Sequence, residues 1–208
     1  MPYLAGVLLI LSLLLHFPAH ANSPLAPVGS AFTYKVTSDN GNGTETWTRL
    51  TDDTLHNIPA ARLHSRRTYD DGGSPLELVL YHELTSGSWM AAKYNGIIVD
   101  EALPHNGQFS LPLHVGKRWV QTHRREQGPI FADVYTVTGT WEVVAYEDVT
   151  VPAGIFRTYK IIGTSDIEDM TIWLSVELGA MIKANINRKV HFEVPGQTVY
   201  ELTAYNRP

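Results

Sequence analysis

Between Val149 and Tyr205 the chain reads V-P-A-G-I-F-R-T-Y-K-I-I (Val151–Ile162), T-I-W-L-S-V-E-L-G-A-M-I-K (Thr171–Lys183) and V-Y-E-L-T-A-Y (Val199–Tyr205). Pro152 presets φ for the second position of a tight turn, and Gly154 tolerates the positive φ that such turns need. Behind it, Phe156 to Gly163 is rich in aromatic and branched residues, which suit a pleated, half-buried surface. Met170 to Ser175 is a second run and carries Trp173. Gly179 stands where a turn needs a residue without Cβ, and Ala180 to Ile186 leaves as the next run. Pro195-Gly196 reads as a turn between Lys189–Val194 and Thr198–Tyr205. Strand and turn alternate to the last residues, so this stretch predicts an all-β fold.

The residues upstream continue the pattern. Phe32, Tyr34 and Val36 alternate with Thr33, Lys35 and Thr37, the mark of a half-buried strand. Asp39 to Gly43 is a turn cluster and Thr44 to Leu50 returns, giving a hairpin. Ala60 to Thr68 is extended, and Asp70 to Pro75 is a turn. Leu76, Leu78 and Leu80 share one strand face, with Val79 and Tyr81 on the other. Ser88, Met90, Ala92 and Tyr94 alternate with Trp89 and Ala91. These strands are apolar on both sides, whereas an antiparallel sheet with one face in water alternates with polar residues. Something must therefore cover the second face: another sheet, a closed barrel or an apolar cavity. Asn95-Gly96 is a two-residue hairpin signal. Pro104 to Pro112 reads as a loop, and strands resume at Lys117–Arg124, Phe131–Thr138 and Trp141–Glu147, with Gly139 as the turn between the last two. No helical period runs through residues 22–208. The expectation is a single curved antiparallel sheet or half-open β-barrel of about a dozen strands in one domain, 22–208.

Residues 1–21 read as a secretory signal peptide: an apolar run from Leu8 to Leu15, then Ala19-His20-Ala21 as the cleavage site. The apolar run from Leu4 to Phe17 falls short of the roughly 20 residues a membrane-spanning helix needs, so no transmembrane segment is expected after cleavage. The sequence has no cysteine, hence no disulfide framework and no thiol for acylation at the cleavage site. The expected location is periplasmic or secreted, soluble and not lipidated. A net charge of −5, from 16 Lys and Arg against 21 Asp and Glu, is interspersed along the chain. That argues against a nucleic-acid partner, which selects a basic face, and against a polybasic membrane surface.

Chemistry is sparse. His105, His114 and His123 recur every nine residues, but no H-x-H or H-E-x-x-H spacing is present, so neither a metal nor another cofactor is expected. No G-x-S-x-G elbow marks a nucleophilic serine. Carboxylates such as Glu142, Asp166, Glu168, Asp169, Glu177 and Glu193 leave a glycosidase-like pair open. Trp47, Trp119 and Trp173 each share a strand face with polar residues, and rings beside hydrogen-bonding groups suit a ligand cleft.

The motifs V-P-A-G-x-F…K-I, W-L-S…L-G-x-x-x-K and E-L-x-x-Y resemble a family of uncharacterised secreted or periplasmic bacterial proteins. That family is similar to the half-barrel lipoprotein-carrier and lipid-binding superfamily. The resemblance spans about the last ninety residues, from Gly116-Lys117-Arg118-Trp119 onward. It implies a half-barrel and a hydrophobic or amphipathic small ligand. Residues and resemblance together give three readings. The first is a non-catalytic envelope protein binding an apolar or amphipathic ligand, with Trp119, Trp173, Trp47, Tyr81, Met90 and Tyr94 as its ligand-binding residues. The second is a carbohydrate- or protein-binding module, and the third a hydrolase with strand-borne carboxylates.

Overall fold

The computed structural model describes residues 24–128, 133–189 and 195–208. The expected export signal lies outside them, as do Phe131, His191 and Glu193 of the sequence reading. The described residues form thirteen strands and no helix. In order these are β1 (Ala31–Ser38), β2 (Gly43–Arg49), β3 (Asp53–Leu55), β4 (Ile58–Tyr69), β5 (Leu76–Glu83), β6 (Trp89–Tyr94) and β7 (Ile97–Leu103), then β8 (Arg118–Gln127), β9 (Asp133–Val151), β10 (Gly154–Thr164), β11 (Glu168–Ser175), β12 (Ala180–Arg188) and β13 (Gly196–Asn206).

Each strand from β4 to β13 pairs antiparallel with the next, β13 pairs with β1, and β1 with β2. β2 then pairs with β4 over Gly43↔Tyr69 to Arg49↔Leu63, which closes a ring of twelve strands. Short β3 pairs with the start of β4 and continues the line of β2. The all-β barrel of about a dozen strands is borne out, and the sheet goes on to close. Closure removes every free edge of the ring.

The core lies inside the ring against β1 and β8–β13. Tyr34, Val36, Val143, Ile161, Leu174 and Leu202 are among its most buried members. Phe109 and Leu113, from the loop over residues 104–117, are buried in the same cluster. That loop therefore fills part of the barrel rather than lying on its surface.

Two glycines read as turns do different work. Gly139 lies within the 19-residue β9, which runs unbroken where two strands were expected. Gly139 and Gly163 pair with the strands around the Trp141 indole, where a Cβ on Gly163 would come 2.2 Å from the ring. These positions are glycine so that an indole can lie against the backbone, a common meaning of glycine inside a strand. Gly196 likewise lies in a strand rather than in a turn. Gly196 opens β13, whose partner is β12, through Arg188↔Gly196 and Lys183↔Glu201. Residues 190–194 lie outside the described residues.

Gly154 and Gly179 do take positive φ, at 135° and 70°. A Cβ on Gly154 would meet only Phe156, at 3.7 Å, so its replacement strains the backbone alone. On Gly179 it would sit 2.5 Å from the Ala26 nitrogen, and that nitrogen donates to the Gly179 carbonyl at 2.9 Å. Gly154→Val should cost about 1–3 kcal/mol, the range for a strained residue. Gly179→Val should cost more, because the segment around Ala26 must also move. Denaturant midpoints test the ranking, and equal midpoints would contradict it.

Candidate functional site

The inner faces of β1, β2, β4–β8 and β11–β13 enclose a cavity of about 310 Å³. Alternation sets its walls. Leu80, Ala92 and Asp100 are register partners on neighbouring strands and all face inward. Leu63, Leu78, Ile172, Leu174 and Ile186 add to an apolar surface, while Phe109 from the inserted loop and Leu25 from the N-terminal segment supply cover.

Polar groups interrupt this surface in three places. Glu45 accepts from the Trp47 Nε1 at 2.6 Å and from the Ser65 hydroxyl at 2.7 Å. Tyr34, Trp47 and Tyr200 cluster beside it, with ring centroids 4.8–6.2 Å apart. Burial, and then the Glu45 charge, hold the Tyr34 and Tyr200 phenols above their ordinary pKa. Asp100 receives both the Nε and an Nη of Arg125 at 2.6 Å, the two-pronged pairing that a guanidinium makes with a carboxylate. Arg125 also lies 4.3 Å over the Trp89 ring. Glu168 lines the same cavity, and burial raises its pKa against the pull of Arg125 and Arg188. The third place holds His82 and Arg49, both buried.

The structure separates the six sequence-derived site residues. Trp47 lines the cavity. Trp119 is on the inner side but stacks on Trp141, planes 10° apart, and donates 2.7 Å to the Gly107 carbonyl. It packs the filled part of the barrel, away from the cavity. Trp173 does not line the cavity: Ile172 and Leu174 point in, so Trp173 points out. There it lies between Lys160 and Lys183 and donates to Glu147 at 2.9 Å.

Tyr81 and Met90 belong to a second, smaller cluster with Leu55, Ala60 and Ala91 on the outer face. The turn between β3 and β4 folds over that face, where the His56 ring meets the buried Glu101 carboxylate at 2.8 Å. The two apolar faces of β5 are thus both accounted for, Leu78 and Leu80 by the cavity and Val79 and Tyr81 by this cluster. Tyr94 sits 47% exposed beside the Asn95-Gly96 turn.

Trp89 was not among the site residues of the sequence reading, yet it lines the cavity. Strict alternation puts Trp89 opposite Ala92. A β-bulge between β5 and β6 pairs His82 with Trp89 and Leu80 with Ala92, leaving Met90 as the extra residue. Trp89 and Ala92 consequently share the inner face. His82, Asp100 and Arg125 were missed because a polar residue on a strand reads as solvated unless closure of the ring is known.

No family model matches this chain. Nor does any curated protein. Among solved structures, an exported protein with a YmcC-like fold from Bacteroides fragilis is similar at 11% identity and a TM-score of 0.47, over 88% of this chain and 98% of that one. The hypothetical lipoprotein YmcC from Escherichia coli is similar at 13% identity and a TM-score of 0.45, over 89% and 88%. A lipoprotein from Parabacteroides distasonis gives 14% and 0.42, over 88% and 98%. At these values no residue of theirs can be set against a residue here.

Proposed function

We propose that this is a non-catalytic protein of the bacterial cell envelope that holds an apolar or amphipathic small molecule inside its barrel. The observation that carries the reading is the cavity: about 310 Å³, walled mostly by apolar side chains, with a few polar groups at defined places. Ligand sites of roughly 300–1,000 Å³ share this composition, with apolar area for affinity and sparse polar groups for orientation. The signal-like residues 1–21 support the location.

A neutral environment-sensitive dye, phenylnaphthylamine, should bind saturably and become fluorescent. Ala184 is fully buried on the cavity wall, so Ala184→Phe places a ring in the cavity. It should weaken dye binding about tenfold or more by occupying the ligand's volume. Absence of saturable binding, or an affinity unchanged in Ala184→Phe, would overturn the reading.

The hydrolase reading has one observation in its favour, since Glu168 and Asp100 both line the cavity. A buried acid with raised pKa beside an ionised carboxylate is a known catalytic arrangement. Here both Asp100 oxygens are engaged by Arg125, which stabilises the carboxylate and blunts it as a nucleophile or base. Binding is therefore the better-supported function.

A further inference from the structure

Glu45 lines the cavity from the inner face of β2 and is 6% exposed. Its Oε1 accepts from the Trp47 Nε1 at 2.6 Å and from the Ser65 hydroxyl at 2.7 Å, and the Tyr200 phenol bears on the same carboxylate. All three neighbours are neutral. Among the described residues no Lys, Arg or His nitrogen lies within ion-pair distance of Glu45, whereas Arg49 goes to Asp52 and Arg125 to Asp100. Arg67, the register partner of Glu45 on β4, donates instead to the Gly41 carbonyl at 2.7 Å. Arg188, also on the cavity wall, is the register partner of Glu168. A buried charge is ordinarily paired, and neutral hydrogen bonds leave Glu45 without a counter-ion.

The half-buried Trp47 ring points the same way. Trp89 lies under Arg125 at 4.3 Å, Trp119 under Lys117 at 5.9 Å, and Trp173 under Lys160 and Lys183 at 5.2 and 5.9 Å. Among the described residues no such cation stands over Trp47. Trp173 is the nearest parallel, because its Nε1 also donates to a glutamate, Glu147, at 2.9 Å. On that outer face the chain's own lysines complete the carboxylate–indole pair. Inside the barrel the same kind of pair faces the cavity instead.

We propose that the ligand supplies this cation: an apolar molecule with an amine or quaternary ammonium head, seated on the Trp47 ring beside Glu45. This deepens the ligand-binding reading above and rests on it. One positive group serves both partners. The 2.6 Å bond sets the carboxylate at the edge of the indole, and a cation binds a ring within about 6 Å of its centroid. Away from water both attractions strengthen. A carboxylate head is repelled by Glu45. A hydroxyl adds one more neutral hydrogen bond and leaves the charge unbalanced.

The test is displacement of phenylnaphthylamine by decyltrimethylammonium, decanol and decanoate, which share a chain and differ in the head. It is run in about 0.5 M salt, which screens exposed charges far more than buried ones. The ammonium should displace the dye at a concentration about tenfold lower than decanol, the value of one desolvated cation–π contact. Decanoate should compete least. Glu45→Gln keeps an acceptor for Trp47 and Ser65 and removes the charge, so the ammonium should lose most of its lead. Both competitors are read against the same dye, so a change in dye affinity cancels. If the dye binds and the ammonium competes no better than decanol, or decanoate leads the series, the cationic pole is wrong and the ligand-binding reading stands. A lead that survives in Glu45→Gln reflects general attraction to a chain of net charge −5 and removes Glu45 from the site. If the dye does not bind at all, both readings fall. Where Glu45→Gln does not fold, Trp47→Leu takes its place and should likewise shrink the lead; an unchanged lead there overturns the proposal.

Discussion

Replacing Arg125 by methionine is expected to destabilise the protein by about 3–5 kcal/mol, the cost of removing one partner from a buried ion pair. Arg125 is 4% exposed, and its guanidinium holds Asp100 through two hydrogen bonds of 2.6 Å. Without it, Asp100 and the buried Glu168 face each other across one wall with a cation fewer, and Trp89 loses the charge over its ring. The penalty is largely that of the stranded carboxylate. Converting it as well, in Asp100→Asn/Arg125→Met, should recover much of the loss. Denaturant unfolding of the single and double variants measures both effects. A loss below about 1 kcal/mol, typical of an exposed pair, would mean that water reaches Asp100 freely.

Stability should also fall as the solution is acidified from about pH 6.5 to pH 4. Burial brings both His82 and His123 down to about 4 in the folded protein, with Arg125 and His105 adding to the effect on His123. Unfolded histidine titrates near 6.5. Between these values the unfolded chain binds protons that the folded one refuses, so stability rises with pH across the window and drops as pH falls through it. For His82 alone the shift from 6.5 to about 4 is worth on the order of 3 kcal/mol. Glu168 works in the opposite sense, since its raised pKa lets the folded protein take up a proton first. The measurement is therefore a difference: unfolding free energy against pH for the protein and for His82→Gln. The slope between pH 6.5 and 4 should be shallower in the variant. Parallel curves would show that His82 is charged, or solvated, in the folded state.

Much of the barrel is legible in the residues because turns carry local chemistry. Asn95 and Gly96 take φ of 49° and 80°, as a two-residue hairpin requires, and Pro152-Ala153 joins β9 to β10 through Gly154↔Val151. The apolar double face of β5 also held the essential information that both sides are covered. What failed was the parity of individual side chains. A bulge of one residue at Met90 reverses the faces of Trp89 and Met90, and no residue type announces it. Glycine was ambiguous for a related reason: Gly139 yields space to the Trp141 indole two residues along the same strand, a use of glycine that reads as a turn until the strand is seen to run on. Closure was hidden too, because it needs the first strand to pair with the last, a meeting of distant surfaces rather than a local preference. Once the ring is closed, Arg49, Asp100 and Arg125 change from solvated strand residues into the polar points of an interior.

The pairing of β1 with β13 joins Ala31 to Asn206, so the first strand waits for the last. During synthesis β1 and β2 emerge early, and the ring cannot shut until residues 196–206 have been made. Such distant contacts slow folding, since the entropy of gathering the chain is lost before the contact rewards it. Until then β1 and β12 present bare edges, each a template for a strand from another molecule. The barrel is thus a late, all-at-once closure, and shortening the chain by its final strand would leave an open sheet prone to self-association.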